Sequence, residues 1–506
     1  MPTIFTKVLM PSYYTLIESL LGRGICMSHI CAGIQLDEKS DFPSGTHLLI
    51  SPKIQQALQL PLRSPITLQL GQKSTTCIIQ TFSSTGSLVR IRKDLAEYLH
   101  LPDGIQLNMR YDNRLRRIVL GPVLGVLIST LIRTPEGIFG SASSFCKELV
   151  QGAKSKGILA YIFTLKDLDN DNQTAKGWRW ENNKWVQKTM PYPDTIYNRL
   201  ASRKDENRSE AQDWISGLKK KGVTFFNEHF LNKWQVHQAL SNMKEAALYL
   251  PSTQMHKGYA TVKEAVDKFP QVYLKPTNGS LGKGIYRITR SGNRFTCQYS
   301  TMSGSVRKEF SKLSDLYSSI SPKISRIPYL VQQGLKLVRV NGNPLDFRSL
   351  VQKDSSGKWA VTSIVGRIGQ DQSIVSNLAR GGTIMPVAKA LIAASPWQGP
   401  KPKTKQLKAI STTLAESLES SMQGHFAELG IDLAVDTQGK VWLLEINAKP
   451  SKNDDQVLSE QKKTRPSVKK LLEYVLHLHG SGKSSHRGPG GFMQVAARKT
   501  SKRRKR

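Results

Sequence analysis

The chain has 506 residues, too many for a single hydrophobic core, so its length predicts roughly two to four domains. Its composition, 39% hydrophobic and 22% charged, is that of a folded globular protein and excludes chains dominated by one residue class. Lysine and arginine total 73 against 38 aspartate and glutamate, a formal net charge of +35. Such a field favours anionic partners: nucleotides, nucleic acid, acidic peptides or anionic polymers.

Targeting and redox features are sparse. No stretch reaches the roughly 20 apolar residues that cross a bilayer. The first 21 residues carry one lysine, Lys7, among interleaved polar residues, unlike a secretory signal. We therefore expect no membrane span and a cytoplasmic location. Five cysteines at irregular positions (26, 31, 77, 146 and 297) fit buried free thiols better than a zinc site.

An internal repeat lies near the N-terminus. The segments LLISPKIQQALQLP (48–61) and LVRIRKDLAEYLHLP (88–102) align at an offset of 41 residues, so that Ile50 matches Ile91. Each copy predicts a strand, a short helix and a second strand. Two copies predict a small pseudo-symmetric barrel within a β-rich module at 1–118, which would hide its sheet edges. The alternative is chance similarity between two amphipathic segments.

The next segment, 119–230, predicts an α/β domain. Strand-like apolar runs at 123–129 and 158–165 enclose a helix-like segment at 145–155. A hairpin at 177–188 follows, with three tryptophans around an Asn-Asn turn, namely Trp178, Trp180 and Trp185. We interpret these aromatic residues as the cover of a core edge, with stacking on a nucleobase as the alternative.

The C-terminal segment, 479–506, is rich in glycine, serine, lysine and arginine and predicts a disordered basic tail that binds polyanions. Its GSGKSS sequence is similar to a phosphate-binding loop. However, His477 stands where that motif requires a leading glycine, and no strand and helix context surrounds it. We therefore reject a phosphate-binding loop here.

The strongest motif is GIDLAVDTQGKVWLLEINAKPS (430–451), which predicts a β-hairpin turning at Gly439. If Asp436 pairs with Val441, the same register places Asp432 opposite Glu445. Asn447 lies two residues further along and shares the face of Glu445. Two carboxylates and an amide on one face are typical ligands for a hard divalent cation. The alternative is an ordinary hairpin with polar residues on a wet face.

A second motif, QVYLKPTNGSLGKGIYRI (271–288), predicts a strand that ends at Lys275, a glycine-rich loop and a returning strand. Glycines let backbone N–H groups approach phosphate oxygens, and a lysine at the end of the strand neutralises their charge. The loop alone is weak evidence, but it precedes the carboxylate hairpin in the same segment.

These pieces occur in the order found in ATP-grasp enzymes, which include D-alanine–D-alanine ligase, glutathione synthetase and the ribosomal-protein glutamate ligases. The pieces are Lys233 in NKW, Lys275 in YLKP, the glycine loop, VQQGL (331–335), DFR (346–348), SNLARGG (376–382) and the step from Asp432 to Glu445. With its repeated front module and its LEINAKPS segment, the chain resembles the endospore coat-associated YheC/YheD group. The resemblance implies a mixed α+β and α/β architecture, with an ATP-grasp fold at 231–478 after a pre-ATP-grasp-like domain.

The resemblance also implies a role for each matching residue, with ATP and Mg²⁺ (or Mn²⁺) as cofactors. Contacts with the nucleotide come from two lysines, three loop glycines and an adenine hinge, namely Lys233, Lys275, Gly279, Gly282, Gly284, Gln332, Gln333 and Leu335. The divalent ions are held by Asp432, Glu445 and Asn447. The hinge glutamines stand where many relatives carry acidic residues, which leaves the ribose contact to Asp346 as a candidate. Packing is the alternative role for these glutamines.

The resemblance also implies roles for residues near the reacting groups. Arg348 and Arg367 face the transferring phosphoryl group or the acyl-phosphate, with a surface salt bridge as the alternative for each. Asn377 and Arg380 lie near the substrate mouth or in the closing loop, and the Gly381-Gly382 segment and the glycine loop act as lids.

The function expected from this resemblance is ligation of a carboxylate to an amine through an acyl-phosphate, with an acidic peptide as a candidate substrate. Two alternatives stay open: a phosphotransferase on the same fold, and an ATP-binding assembly protein of the spore coat with little turnover. In the last case the basic surface and tail would contact an anionic layer, and the location would be the spore coat.

Overall fold

The computed structural model of the protein describes residues 29–135, 137–279, 282–301, 304–369, 382–452 and 464–480. The predicted substrate-mouth residues Asn377 and Arg380, the lid residue Gly381 and the tail beyond 480 lie outside the described residues. Within the described part of the chain, no helix is long and apolar enough to cross a membrane.

The N-terminal unit is a closed β-barrel. Among the described residues its strands are β1 (His29–Asp37), β2 (Leu48–Ile50), β3 (Pro65–Leu70), β4 (Lys73–Thr81), β5 (Leu88–Arg92), β6 (Ile105–Asp112) and β7 (Arg117–Leu120), joined in the order β1-β5-β2-β4-β3-β7-β6. Its helices are α1 (Pro52–Leu58) and α2 (Lys93–Leu99). Both copies of the repeat adopt a strand, helix, strand order. Both helices end in the left-handed conformation at equivalent positions, Gln59 (φ 50°) and His100 (φ 54°).

The second unit is a mixed sheet with helices. Its strands are β8 (Val123–Ile128), β9 (Leu159–Thr164), β10 (Leu168–Asp169), β11 (Thr174–Glu181), β12 (Lys184–Pro191), β13 (Thr195–Arg199) and β14 (Thr224–Phe226). Its helices are α3 (Ser143–Ser155), α4 (Arg203–Glu206) and α5 (Ser209–Lys220). Strands β8, β9, β13 and β14 are parallel, and their mainly apolar, mostly buried residues fit burial on both faces.

The tryptophan hairpin is formed by β11 and β12, in which Trp180 pairs with Trp185 across an Asn182-Asn183 turn of positive φ. All three tryptophans pack against the apolar cluster beside the sheet. This placement supports their role in covering a core edge.

The third unit contains two antiparallel sheets. The small sheet has the order β15-β20-β16-β17-β18-β19 and comprises β15 (Thr253–Met255), β16 (Gln271–Pro276), β17 (Tyr286–Ser291), β18 (Arg294–Thr301), β19 (Gly304–Phe310) and β20 (Tyr329–Gln333). Its buried face packs on α8 (Tyr259–Lys268) and α9 (Leu313–Ile324). Helices α6 (Lys233–Ser241) and α7 (Lys244–Ala247) precede this sheet.

The large sheet has the order β24-β23-β22-β25-β26, with a short β21 paired to β22. Its strands are β21 (Arg339–Val340), β22 (Asn343–Lys353), β23 (Trp359–Ile368), β24 (Thr383–Pro386), β25 (Glu428–Val435) and β26 (Val441–Asn447). Helices α10 (Val387–Ala393) and α11 (Thr404–Ser421) contribute to the core on one of its faces.

The last helix, α12 (Pro466–Gly480), connects the units. Its apolar side, including Leu471, Leu472 and Val475, joins the cluster formed by α3 and β8. The helix therefore packs on the second unit although it follows the third in sequence. It ends at Gly480, two residues into the segment predicted as the tail.

Candidate functional site

A cleft lies between the small sheet and the large sheet, beside the first turn of α6. Its lining residues come from both sheets, from α6 and from the segment before β15, namely Lys233, Val236, His237, Leu250, Pro251, Thr253, Lys275, Leu330, Gln332, Leu443, Leu444, Glu445 and Ile446. The lining is mainly apolar, and charged groups from α6, β16 and β26 reach it. An apolar cleft with a few convergent polar groups is typical of a small-molecule site.

Lys233 is the first residue of α6. The Asn232 side chain caps this helix by accepting from the N–H groups of Trp234 (2.9 Å) and Gln235 (3.2 Å). Lys233 Nζ donates to the carbonyl oxygen of Gly279 (2.6 Å) and to Glu445 Oε1 (3.0 Å). One ammonium group therefore connects the glycine loop of the small sheet to a carboxylate of the large sheet.

Lys275 lies on β16 and enters the same cleft. Its Nζ donates to Gln332 Oε1 (2.6 Å), and among the described residues it has no carboxylate within ion-pair distance. Burial lowers the pKa of Lys275 to about 8; the Glu445 charge opposes this shift and the Lys233 charge adds to it. A partly buried ammonium group beside a second ammonium group is suited to a multivalent anion.

Of the three hinge candidates, only Gln332 lines the cleft. Its amide nitrogen donates to Thr253 Oγ1 (3.0 Å) while its oxygen accepts from Lys275. The Gln333 side chain accepts from the backbone N–H of Ser252 (3.2 Å), a contact that fits packing of the β15 segment. Leu335 does not line the cleft.

The three predicted glycines belong to the loop that Lys233 contacts through Gly279. Gly282 (φ 67°) and Gly284 (φ 71°) have left-handed backbone conformations that other residues adopt at a cost. A Cβ atom on Gly284 would also lie 3.0 Å from the hydroxyl of Tyr329. The loop therefore needs glycine at these positions for backbone reasons, whatever it binds.

A β-bulge sets the direction of Glu445. Val441 pairs with Val435, so the predicted pairing of Asp436 with Val441 is wrong by one residue. The register shifts between Leu433 and Asp432, which leaves Leu444 as the extra residue and places Asp432 opposite Glu445 as predicted. Without the bulge, strict alternation would direct Glu445 into the core beside Leu443.

Asp432 lies between two arginines and is 7% exposed. Its carboxylate accepts from Arg348 (Nη2, 3.1 Å, with a second contact from Nε) and from Arg367 Nη2 (3.0 Å). Arg367 also makes a bidentate pair with Asp346 (2.6 and 2.7 Å). Burial raises the pKa of Asp432, but the two arginine charges outweigh this effect and hold it below its ordinary value. Asp346 is thus engaged by Arg367, which does not support its candidacy for ribose.

The oxygen donors of Asp432, Glu445 and Asn447 share one face of the large sheet, and their chemistry fits a hard divalent cation. Glu445 is paired with Lys233, and Asp432 with the two arginines. A bound cation would compete with these partners. Glu445, whose side chain is 27% exposed, is the more accessible of the two carboxylates.

Some lining residues were not predicted. Thr253 and His237 carry no motif, and only the folded chain brings them beside Gln332 and Lys233. The apolar lining residues Leu443, Leu444 and Ile446 could be recognised in the sequence, because they interrupt the alternation of polar and apolar residues around Glu445.

The two carboxylates are expected to differ in their contribution to stability. Asp432→Asn leaves two buried arginine charges without their shared partner and should lower the free energy of unfolding by about 3–5 kcal/mol. Glu445→Gln affects a pair that is more accessible to solvent, so its loss should be smaller, about 1 kcal/mol. Denaturant unfolding of both variants measures the difference. Equal losses would contradict the assignment of Asp432 as the anchor of the arginines.

Comparisons with known proteins agree on the family. A family model described as YheC/D like ATP-grasp matches residues 222–478. Endospore coat-associated protein YheD of Bacillus subtilis is 27% identical over 388 residues, which cover 76% of this chain and 84% of that protein. Endospore coat-associated protein YheC of the same organism is 25% identical over 329 residues, covering 63% of this chain and 88% of that protein.

Among solved structures, N5-carboxyaminoimidazole ribonucleotide synthetase from Thermotoga maritima matches with a TM-score of 0.40 at 13% identity, covering 70% of this chain and 76% of that chain. The family model covers about half of the chain, including both sheets that form the cleft. The chain therefore belongs to the YheC/D-like ATP-grasp family and has its α+β ATP-grasp fold.

Proposed function

We propose that the chain binds Mg-ATP in the cleft and uses it to join a carboxylate to an amine, releasing ADP and phosphate. The observation that carries this proposal is the pair of lysines at one apolar cleft. Lys275 is partly buried, and among the described residues its side-chain hydrogen-bond partner is the amide oxygen of Gln332. Lys233 reaches across the same opening to Glu445. Phosphate oxygens would give Lys275 the negatively charged partner that it does not have among the described residues.

The residues divide into three groups by position. Lys233 and Lys275 would hold the phosphates, and the apolar lining beside Gln332 would hold the base. Glu445 and Asn447, with Asp432 behind them, would hold the divalent cation, which neutralises charge between the phosphates. Bound ATP supplies the phosphoryl group that converts the carboxylate into an acyl-phosphate for attack by the amine.

Arg348 and Arg367 would act mainly by position. Both are buried, and Asp432 holds both guanidinium groups at the sheet face that also carries Glu445. Their fixed charges would favour a developing negative charge nearby without having to reorganise. Closure of the cleft would keep water from the activated carboxylate.

A second candidate is an ATP-binding assembly protein with little turnover. The names of YheD and YheC, both endospore coat-associated proteins, favour it. The net charge of +35 suits contact with an anionic layer, and it also suits an acidic peptide as the carboxylate substrate. Release of phosphate in the presence of carboxylates and amines separates the ligase from the assembly protein.

Mg-ATP binding should depend on the cleft residues. Lys275→Met removes a charge-assisted contact worth about 1.5–3 kcal/mol and should weaken Mg-ATP affinity roughly 10- to 100-fold. Glu445→Ala should abolish the dependence of binding on Mg²⁺. Isothermal titration calorimetry measures both effects.

The matched control for this titration is Lys470→Met. Lys470 is a half-buried lysine of α12 whose pKa burial also lowers, but it does not line the cleft. Its replacement should leave the affinity unchanged. If the wild-type chain shows no Mg-ATP binding, or if Lys275→Met binds as tightly as the wild type, the proposed site is wrong.

Nucleotide affinity should also fall at alkaline pH. In the free protein burial lowers the pKa of Lys275 to about 8, so the ammonium group loses its proton as pH rises through this value. A phosphate favours the charged form and raises the pKa, so binding above about pH 8 takes up a proton. Affinity should then drop by up to about tenfold per pH unit.

Calorimetry in two buffers of different ionisation enthalpy measures this proton uptake. Lys275→Arg keeps its charge throughout the range and should bind with little pH dependence. Wild-type affinity that stays constant between about pH 7 and pH 9.5 would contradict the role of Lys275.

A further inference from the structure

One helical turn of the second unit contacts the chain on both sides of the Lys233–Glu445 pair. In α4, Glu206 is 3% exposed and lies between two segments of the third unit. Its Oε1 accepts from the backbone N–H of Phe230 (2.8 Å), and its Oε2 forms an ion pair with Lys449. A single buried carboxylate therefore binds the segment that leads into α6 and the segment that leaves β26.

Arg203, at the start of the same turn, makes a second set of contacts. Its Nη2 donates to the carbonyl oxygen of Leu231 (2.5 Å), and its guanidinium lies 5.1 Å from the centroid of the Phe230 ring. Lys449 Nζ lies 4.3 Å from the same ring. Phe230 is thus in contact with two cations, both within cation–π range.

The covalent distances from this cluster to the cleft are short. Lys233 follows Leu231 by two residues, and Lys449 follows Glu445 by four. Because each residue spans at most about 3.6 Å, a shift of Leu231 or Lys449 is passed to Lys233 or Glu445 with little chain to absorb it. The 3.0 Å contact between Lys233 and Glu445 is therefore fixed from both ends.

Neighbouring contacts support the same junction. Lys449 also donates to Asn198 Oδ1 (3.1 Å), and Arg199 donates to the carbonyl oxygen of Pro450 (3.0 Å). The fully buried Asn227 donates to the carbonyl oxygens of Glu428 (2.8 Å) and Ala448. The end of β13 and the segment before α6 are thereby attached to the end of β26.

We propose that Arg203 and Glu206 are positioning residues that set where Lys233 and Glu445 stand in the cleft, so that the second unit controls phosphate affinity without touching the nucleotide. The inference rests on the proposed function, because its readout is Mg-ATP affinity. Groups that bind phosphate must be held within about 0.5 Å of their productive places, and partners behind the contacting residues commonly change affinity 10- to 100-fold.

The test compares Mg-ATP and AMP affinity in variants of the full chain. Glu206→Gln keeps an acceptor for Phe230 but releases Lys449, and it should weaken Mg-ATP binding about tenfold while AMP affinity changes less than about twofold. A general loss of structure would lower both affinities. Lys449→Arg should retain the affinity, whereas Lys449→Met should match Glu206→Gln.

Arg203→Met provides a variant at a half-exposed position, which is expected to fold even if Glu206→Gln does not. It removes the contact with Leu231 and should also weaken Mg-ATP more than AMP. The matched control is Glu419→Gln, whose carboxylate pairs with Lys353, accepts from Trp359 Nε1 (2.7 Å) and does not line the cleft. The control should leave both affinities unchanged.

The outcomes separate the inference from the function on which it rests. If the wild type binds Mg-ATP and Arg203→Met and Lys449→Met bind it equally well, the positioning role is overturned and the proposed site stands. If all variants lose ATP and AMP affinity in the same proportion, the cluster serves stability alone and the inference is also wrong. If the wild type does not bind Mg-ATP, the proposed function and this inference both fall.

Discussion

Lys233 joins the two sheets of the ATP-grasp unit across their cleft, because it contacts Glu445 of the large sheet and Gly279 of the glycine loop. The other polar groups of the site are arranged around the Lys233–Glu445 contact. Lys233 belongs to the first turn of α6 and holds the glycine loop through Gly279. Glu445 belongs to the edge strand of the large sheet. An ion pair at this position keeps the cleft ordered, and a phosphate or a divalent cation can compete with it from either side.

The charged groups of the site are paired in the core and less fully paired towards the opening of the cleft. Asp346, Arg367, Asp432 and Arg348 form a buried row in which each carboxylate has an arginine partner. Towards the cleft, Lys275 has no carboxylate partner among the described residues and its pKa is lowered. The balanced row provides rigidity, whereas the unbalanced lysine provides attraction for an anion. This combination is the basis on which we propose nucleotide binding in the cleft.

Much of the fold could be predicted from the sequence, because the informative patterns are local. The repeat at 48–61 and 88–102 gives strand, helix and strand in both copies. The carboxylate hairpin follows from alternation around Gly439 and brings Asp432 opposite Glu445. The bulge at Leu444 was not predicted, although the break in alternation at Leu443–Ile446 is its signal in the sequence. Leu443 and Ile446 both pack in the core, which an uninterrupted strand of this length does not allow.

The remaining features depend on contacts between distant segments. Arg348 and Asp432 are 84 residues apart, and their meeting depends on the pairing of β22 with β25. Glu206 and Lys449 are 243 residues apart and belong to different units. The hinge was predicted as three residues by resemblance, but of these only Gln332 lines the cleft. β20 directs Gln333 to the opposite face, and Leu335 lies beyond the end of the strand.

The most direct test of the central claim is a structure of the chain with Mg²⁺ and a non-hydrolysable ATP analogue. We expect phosphate oxygens within about 3.2 Å of the ammonium groups of Lys233 and Lys275, and Mg²⁺ at Glu445 and Asn447. The Lys233–Glu445 contact should lengthen as the phosphates and the cation take its place. A nucleotide bound elsewhere, with both lysines unchanged and the cleft closed, would contradict the claim that this cleft is the ATP site.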